Sequence, residues 1–171
     1  MAIFVITFGA FVVGIILIVS LKKTSPPAPQ EQVHFDSKSD IPFYLTNRDA
    51  FKSKCVEFLE KFNLEYVHSV WADDHELEIA MNDETPVVGG SYIALCIIDP
   101  PGKTVNDIKV KGFLDTVKGE GASRGILITT GYFTNEAINL IEDEPVELVN
   151  VVAFISYLKK FGIYEYIPDP S

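Results

Sequence analysis

The chain has 171 residues, 14 basic and 24 acidic, for a net charge of -10, with 47% apolar and 12% aromatic residues. That is apolar enough to bury a core, so a chain disordered throughout is excluded. Two cysteines, Cys55 and Cys96, with no CxxC pair or Cys/His cluster, exclude a disulfide scaffold and a structural zinc site, and the acidic excess argues against a generic polyanion binder.

Ala2 to Leu21 runs for 20 residues without a charge. As a helix it would extend about 30 Å, the thickness of a bilayer's hydrocarbon core, and residues 2–21 are expected to form a transmembrane anchor. A secretory signal would put basic residues before a shorter run and small residues at its end; here Lys22 and Lys23 follow the run instead. The positive-inside rule then assigns the bulk of the chain to the cytoplasm, and two free thiols agree with a reducing compartment. Residues 22–40 carry Pro26, Pro27 and Pro29, which favour an extended, semi-rigid linker. A soluble domain is expected over residues 41–171.

Within that domain, Arg48 to Phe62 sets Phe51, Cys55, Phe58, Leu59 and Phe62 at helical spacing, with Lys and Glu opposite. Asn47 or Thr46 is placed to cap this helix. Leu64 to Ser69 reads as a strand, Ala72 to Asp74 as a turn, and Glu76 to Met81 as an alternating strand. Asn82 to Gly90 is a hairpin connection. Ser91 to Ile98 is a mostly apolar run, short enough for a central buried strand, closed by Pro100-Pro101-Gly102. Asn106 to Lys118 is a helix with Ile108, Phe113, Leu114 and Val117 assigned to one face. Gly125 to Thr130 is a strand, and Thr134 to Ile141 a helix capped by Thr134. Val146 to Val149 is a strand. Val151 to Phe161 is a helix capped by Asn150, with Lys159 and Lys160 at its end and Gly162 to stop it. The order α-β-β-β-α-β-α-β-α predicts an α/β sandwich around a mixed sheet, and no internal repeat is present.

The stretch GASRGILITTGYFTNEAINLI, Gly121 to Ile141, resembles the signature of Mrr-type restriction endonuclease-like domains of the PD-(D/E)xK nuclease superfamily. The resemblance rests on Gly-Ala, Arg-Gly, a β-run ending in Thr-Thr, Gly-x-Phe-Thr and a helix bearing Ala. It extends more weakly over Asp49 to Gly162. It implies a restriction endonuclease-like three-layer sandwich with two active-site strands, Leu77 to Met81 and Ile93 to Ile98. In that family an acidic residue on one strand and Gln or Glu, a spacer and Lys on the next hold Mg²⁺ and the attacking water, and alternate residues of a strand share a face.

Here the resemblance assigns Glu78 to the acidic, metal-binding position, with Glu76 of the same parity competing for it. The Gln-Cys-Lys positions fall on Leu95-Cys96-Ile97, so Cys96 fits the spacer while Leu95 and Ile97 offer neither a metal ligand nor a phosphate donor. Asp99 has the parity to reach the same side, and Lys103, Lys109 or Lys111 could supply a migrated ammonium; otherwise Asp99 caps a turn and these lysines are solvated. His75 beside Asp73 and Asp74 suggests a metal cluster only superficially, because adjacent residues diverge. Cys96 reads as a small buried hydrophobe. Arg124 and Thr130 match signature positions, with turn and helix-entry packing as their simpler role.

Setting aside Lys22 and Lys23 leaves 12 basic residues against 24 acidic. Lys103, Lys109, Lys111 and Lys118 are the only local basic cluster. Lys103, Lys111 and Lys118 are the candidate DNA contacts, with Lys111 and Lys118 near one helical face.

The expectation is therefore a membrane-anchored, Mrr-like domain that has lost catalysis, needs no cofactor, and binds DNA or a protein partner at the cytoplasmic membrane face. The alternatives are a divergent nuclease using Mg²⁺, Glu78, Asp99 and a migrated Lys, or an acidic protein-interaction scaffold with Tyr157, Tyr164 and Tyr166 as a candidate edge.

Overall fold

A computed structural model describes residue 33 and residues 41–87, 89–100 and 102–165. The expected anchor lies outside the described residues, as does all of the expected linker except Val33. Among the described residues no helix is long and apolar enough to cross a membrane.

After a 3-10 turn at Phe43–Leu45, the elements in chain order are α1 (Arg48–Glu60), β1 (Glu65–Trp71), β2 (Glu76–Asp83), β3 (Gly90–Ile97), β4 (Thr104–Val105) and α2 (Asp107–Gly119). They continue with β5 (Arg124–Thr129), β6 (Tyr132–Phe133), α3 (Asn135–Leu140), β7 (Val146–Val149) and α4 (Val151–Lys160). The central five-stranded sheet runs β1-β2-β3-β5-β7. The first three strands are antiparallel neighbours, while β3, β5 and β7 are parallel. This is the expected mixed sheet. The short strands β4 and β6 form a separate parallel pair that two-residue strands do not announce in sequence.

Each helix starts where a short polar side chain takes up an otherwise orphaned backbone N–H. Asn47 accepts from Ala50, Asn106 from Lys109, Thr134 from Ala137 and Asn150 from Ala153. The sheet then has a core on each face. One lies under α1 and α4 and holds Phe51, Phe58, Leu77, Ile79, Met81, Phe154 and Leu158; the other lies under α2 and α3 and holds Leu95, Ile97, Val110, Phe113, Val117 and Leu127. Gly125 lets α2 approach β5, since a Cβ there would lie 2.5 Å from Val117 Cγ2.

Three positions depart from the expectation. Ile108 is 75% exposed, and Val110 joins Phe113, Leu114 and Val117 on the buried face of α2. Positions 110, 113, 114 and 117 form the i, i+3, i+4, i+7 stripe, which excludes 108. Phe62 follows the end of α1 and is 43% exposed. Lys54, expected on the solvent side, is buried: its Nζ donates to Glu57 Oε2 at 2.7 Å and to the Ile163 carbonyl at 3.0 Å. Val33 packs against the first core and its N–H donates to Tyr132 Oη at 2.9 Å, so this residue of the expected linker is docked on the domain.

Candidate functional site

The residues assigned to chemistry by sequence lie on β2 and β3. In their antiparallel register Glu78 is opposite Leu95 and Glu76 is opposite Ile97. Opposite residues of a ladder share a face, so all four side chains belong to the α2 side of the sheet. Leu95 and Ile97 are 4% and 5% exposed and sit within the apolar core there. Glu78 is exposed. A cavity of about 280 Å³ between β2 and α2 is lined by Glu76, Glu78, Leu95, Lys109 and Phe113 among others. Lys109 Nζ donates to Glu76 Oε2, so a lysine from α2 reaches the strand face that Glu78 shares. That pair was not specified by the sequence, which offered several lysines and no register.

Asp99 lies just beyond the end of β3, is 8% exposed, and lines a separate cavity with Ile41, Leu45, Thr130 and Val151. It forms an ion pair with Lys103 at 2.8 Å. That hydrogen bond and the carboxylate's charge hold the exposed Lys103 ammonium above its ordinary pKa. Thr130 Oγ1 accepts from the Asp99 N–H at 2.7 Å and donates to the Asp99 carbonyl at 2.8 Å. Next to it, Thr129 Oγ1 accepts from Gly131 N–H at 3.0 Å. A Cβ on Gly131 would lie 2.3 Å from the Lys103 carbonyl oxygen, which itself accepts from Tyr132 N–H at 3.0 Å. The Thr-Thr-Gly stretch thus ties the end of β5 to the segment after β3. Arg124 is exposed on a different rim, with Phe62, Tyr92, Asp83 and Glu144 around a cavity of about 270 Å³.

The remaining candidates are held in local pairs. Lys111 pairs with Asp115 at 3.1 Å and Lys118 with Glu144 at 2.7 Å. Asp73 Oδ1 accepts from the backbone N–H groups of His75 and Glu76 at 2.6 and 2.8 Å, and these bonds, that of His75 first, hold its carboxyl below the usual range. Asp74 turns away to Arg48 at 2.7 Å, while His75 Nδ1 lies 3.1 Å from the Ile98 carbonyl oxygen. Among the described residues no three His, Cys, Asp or Glu side chains are grouped to hold a metal ion. Mg²⁺ takes oxygen ligands; Glu76 and Glu78 put two carboxylates on this face, while Leu95 and Ile97 beside them supply none.

Cys96 and Cys55 are both fully buried, and burial pushes the Cys55 thiol up. Tyr157 packs in a ring cluster with Phe58, Phe62 and Phe161, and Tyr164 meets Tyr44 edge-on. Tyr166 lies outside the described residues.

Residues 96–158 match a restriction endonuclease family, Mrr_cat. The match starts at Cys96, so it includes Ile97, Asp99 and the Thr-Thr-Gly stretch and excludes β2 and Glu78. No curated protein matches the chain. Among solved structures it is similar to the DNA modification-dependent restriction endonuclease AspBHI, at 14% identity and a TM-score of 0.46, over 79% of this chain and 40% of that one. It is also similar to the MspJI restriction endonuclease in complex with a 27-mer oligonucleotide, at 18% identity and a TM-score of 0.47, over 67% of this chain and 27% of that one. The chain thus spans less than half the length of either.

Proposed function

We propose that this restriction endonuclease-like domain acts by binding and has lost phosphodiester hydrolysis, and that residues 2–21 tether it to the cytoplasmic membrane face. The observation that carries the loss of catalysis is the burial of Leu95 and Ile97 in the apolar core directly opposite Glu78 and Glu76. Hydrolysis by the family's route needs a metal ligand and a cation at those two positions, to polarise the phosphate and offset its developing charge. Aliphatic side chains do neither. The buried strand retains its value to the fold, which is reason enough to keep it apolar.

A second reading has one observation in its favour: Lys109 reaches Glu76 beside the exposed Glu78. In a divergent nuclease those groups would stand in for the missing pair. The full chain, in mild detergent at low salt with supercoiled DNA and Mg²⁺ or Mn²⁺, separates the two. The expected result is no cleavage by the wild type, Glu78→Ala or Lys109→Ala. Metal-dependent cleavage by the wild type that either substitution abolishes would establish the nuclease reading instead. The tether is tested by fractionation: the full chain should remain with membranes after a high-salt wash, and a chain lacking residues 2–21 should not.

A further inference from the structure

The α2 side of the sheet is left partly uncovered. Glu78 and Leu95 line the cavity beside the first half of α2, and their neighbours on the same face, Ala80 and Ile93, line a second, shallower depression of about 630 Å³. The two depressions lie end to end along β2 and β3, forming a trough between α2 and the edge strand β1. Its apolar surface is unusually open. Val67 and Val70 on β1 are 57% and 53% exposed, and Val70 is opposite Glu78 in the ladder. Ile108 stands on the α2 rim.

Carboxylates are set among these apolar groups. Glu65 and Glu120 line the outer depression and Glu78 the inner one. Among the described residues that line the two depressions, the only basic side chain is Lys109, which is held by Glu76; the exposed His68 of β1, opposite Ala80, borders them. The lysines elsewhere on and around α2 are also in ion pairs, Lys103 with Asp99, Lys111 with Asp115 and Lys118 with Glu144.

This chemistry selects the occupant. Duplex DNA carries about one negative charge per 1.7 Å, and its binding depends on cations that replace its counterions. In the trough it would meet Glu65, Glu78 and Glu120 beside the Glu76–Lys109 pair, and no unpaired lysine or arginine. A polypeptide in which basic and apolar side chains alternate around one surface satisfies both features of the lining, by charge complementarity and by burial of exposed valine and isoleucine. We propose that the trough docks a basic, amphipathic polypeptide segment of a partner protein. The inference rests on the binding reading above, and gives it a surface and a class of partner.

The test uses the full chain in mild detergent and a fluorescent synthetic peptide of Lys and Leu arranged as an amphipathic helix. A Glu/Leu peptide of the same apolar pattern and a short labelled duplex DNA serve as comparisons. Fluorescence anisotropy should show binding of the Lys/Leu peptide, weakened by salt. Glu78→Lys and, independently, Ile108→Lys should each weaken it about tenfold. Both positions lie on the exposed lining, and unchanged circular dichroism and thermal unfolding will show that the variants are folded. Equal peptide affinity in wild type and both variants would overturn the proposal, as would preference for the Glu/Leu peptide or no binding of either. Duplex DNA bound in place of the peptide, and lost with the same substitutions, would also overturn it. Those failures leave the non-catalytic reading standing; metal-dependent cleavage of the DNA would remove that reading itself.

Discussion

Alternate residues of β2 and β3 serve two faces of one sheet, and the faces are built differently. Toward α1 and α4, Leu77, Ile79, Met81, Ala94 and Cys96 are buried beneath an aromatic layer in which Phe58 meets Phe62, Phe154, Tyr157 and Phe161. Toward α2, the same strands present Glu76, Glu78 and Ala80 beside the buried Leu95 and Ile97. Helix coverage accounts for the difference. On the first face α1 lies against β1 and α4 against β5 and β7, whereas on the second α2 lies against β5 and Val67 and Val70 of β1 stay exposed. Where a helix covers a strand, hydrophobic burial sets the residue. Where it does not, the side chains remain available to a ligand.

This contrast can be broken or sharpened by substitution. Phe58→Ala removes a fully buried ring from the closed face and should lower unfolding stability by about 3–5 kcal/mol in urea titration. A loss below about 1 kcal/mol would mean that the closed face is loosely packed. Thr130→Val, just beyond the end of β5, removes both hydrogen bonds to the Asp99 backbone. Leaving those buried groups unpaired should cost about 1–3 kcal/mol by the same titration. Asn106→Ala removes the cap of α2, the helix that borders the trough, and should cost about 1 kcal/mol. Ile108→Ala, on the open side, should change stability by less than about 0.5 kcal/mol; a larger loss would show that Ile108 packs within the domain.

The smallest effect concerns the β1–β2 turn. Asp73 is fully exposed and its carboxyl is held below the usual range by hydrogen bonds from His75 and Glu76. Its folded pKa is thus below the unfolded one, so its contribution is present at neutral pH and is lost as pH falls through the acid range. Thermal unfolding of wild type and Asp73→Ala should differ slightly at neutral pH and converge on acidification.

The closed face was largely legible in the sequence. The spacing of Phe51, Cys55, Phe58 and Leu59, the alternation of Glu76 to Met81, a cap at Asn47 or Thr46 and the cap Asn150 are local signals, and each element they mark is present within a few residues. Ile108 misled because apolarity alone assigned it to a face that helical geometry denies it. Lys54 misled because a long charged side chain is buried only when a distant carbonyl, here that of Ile163, meets it. The parallel pair β4–β6 escaped notice because two residues carry no periodicity.

At the candidate site, the resemblance singled out Glu78, Leu95 and Ile97; parity within β3 was enough to put Leu95 and Ile97 on one side, and the β2–β3 register places Glu78 with them. It could not select Lys109 from the neighbouring lysines, pair Lys103 with Asp99, or show that Val67, Val70 and Ile108 stay exposed around Glu78. The sequence by itself determined the helices, the main strands and the apolar character of Leu95 and Ile97 on β3, because periodicity, capping and residue chemistry act over a few positions. Only the tertiary structure decided which lysine meets which carboxylate and which sheet face lacks a cover, because both depend on strand register and helix placement between residues far apart in the chain.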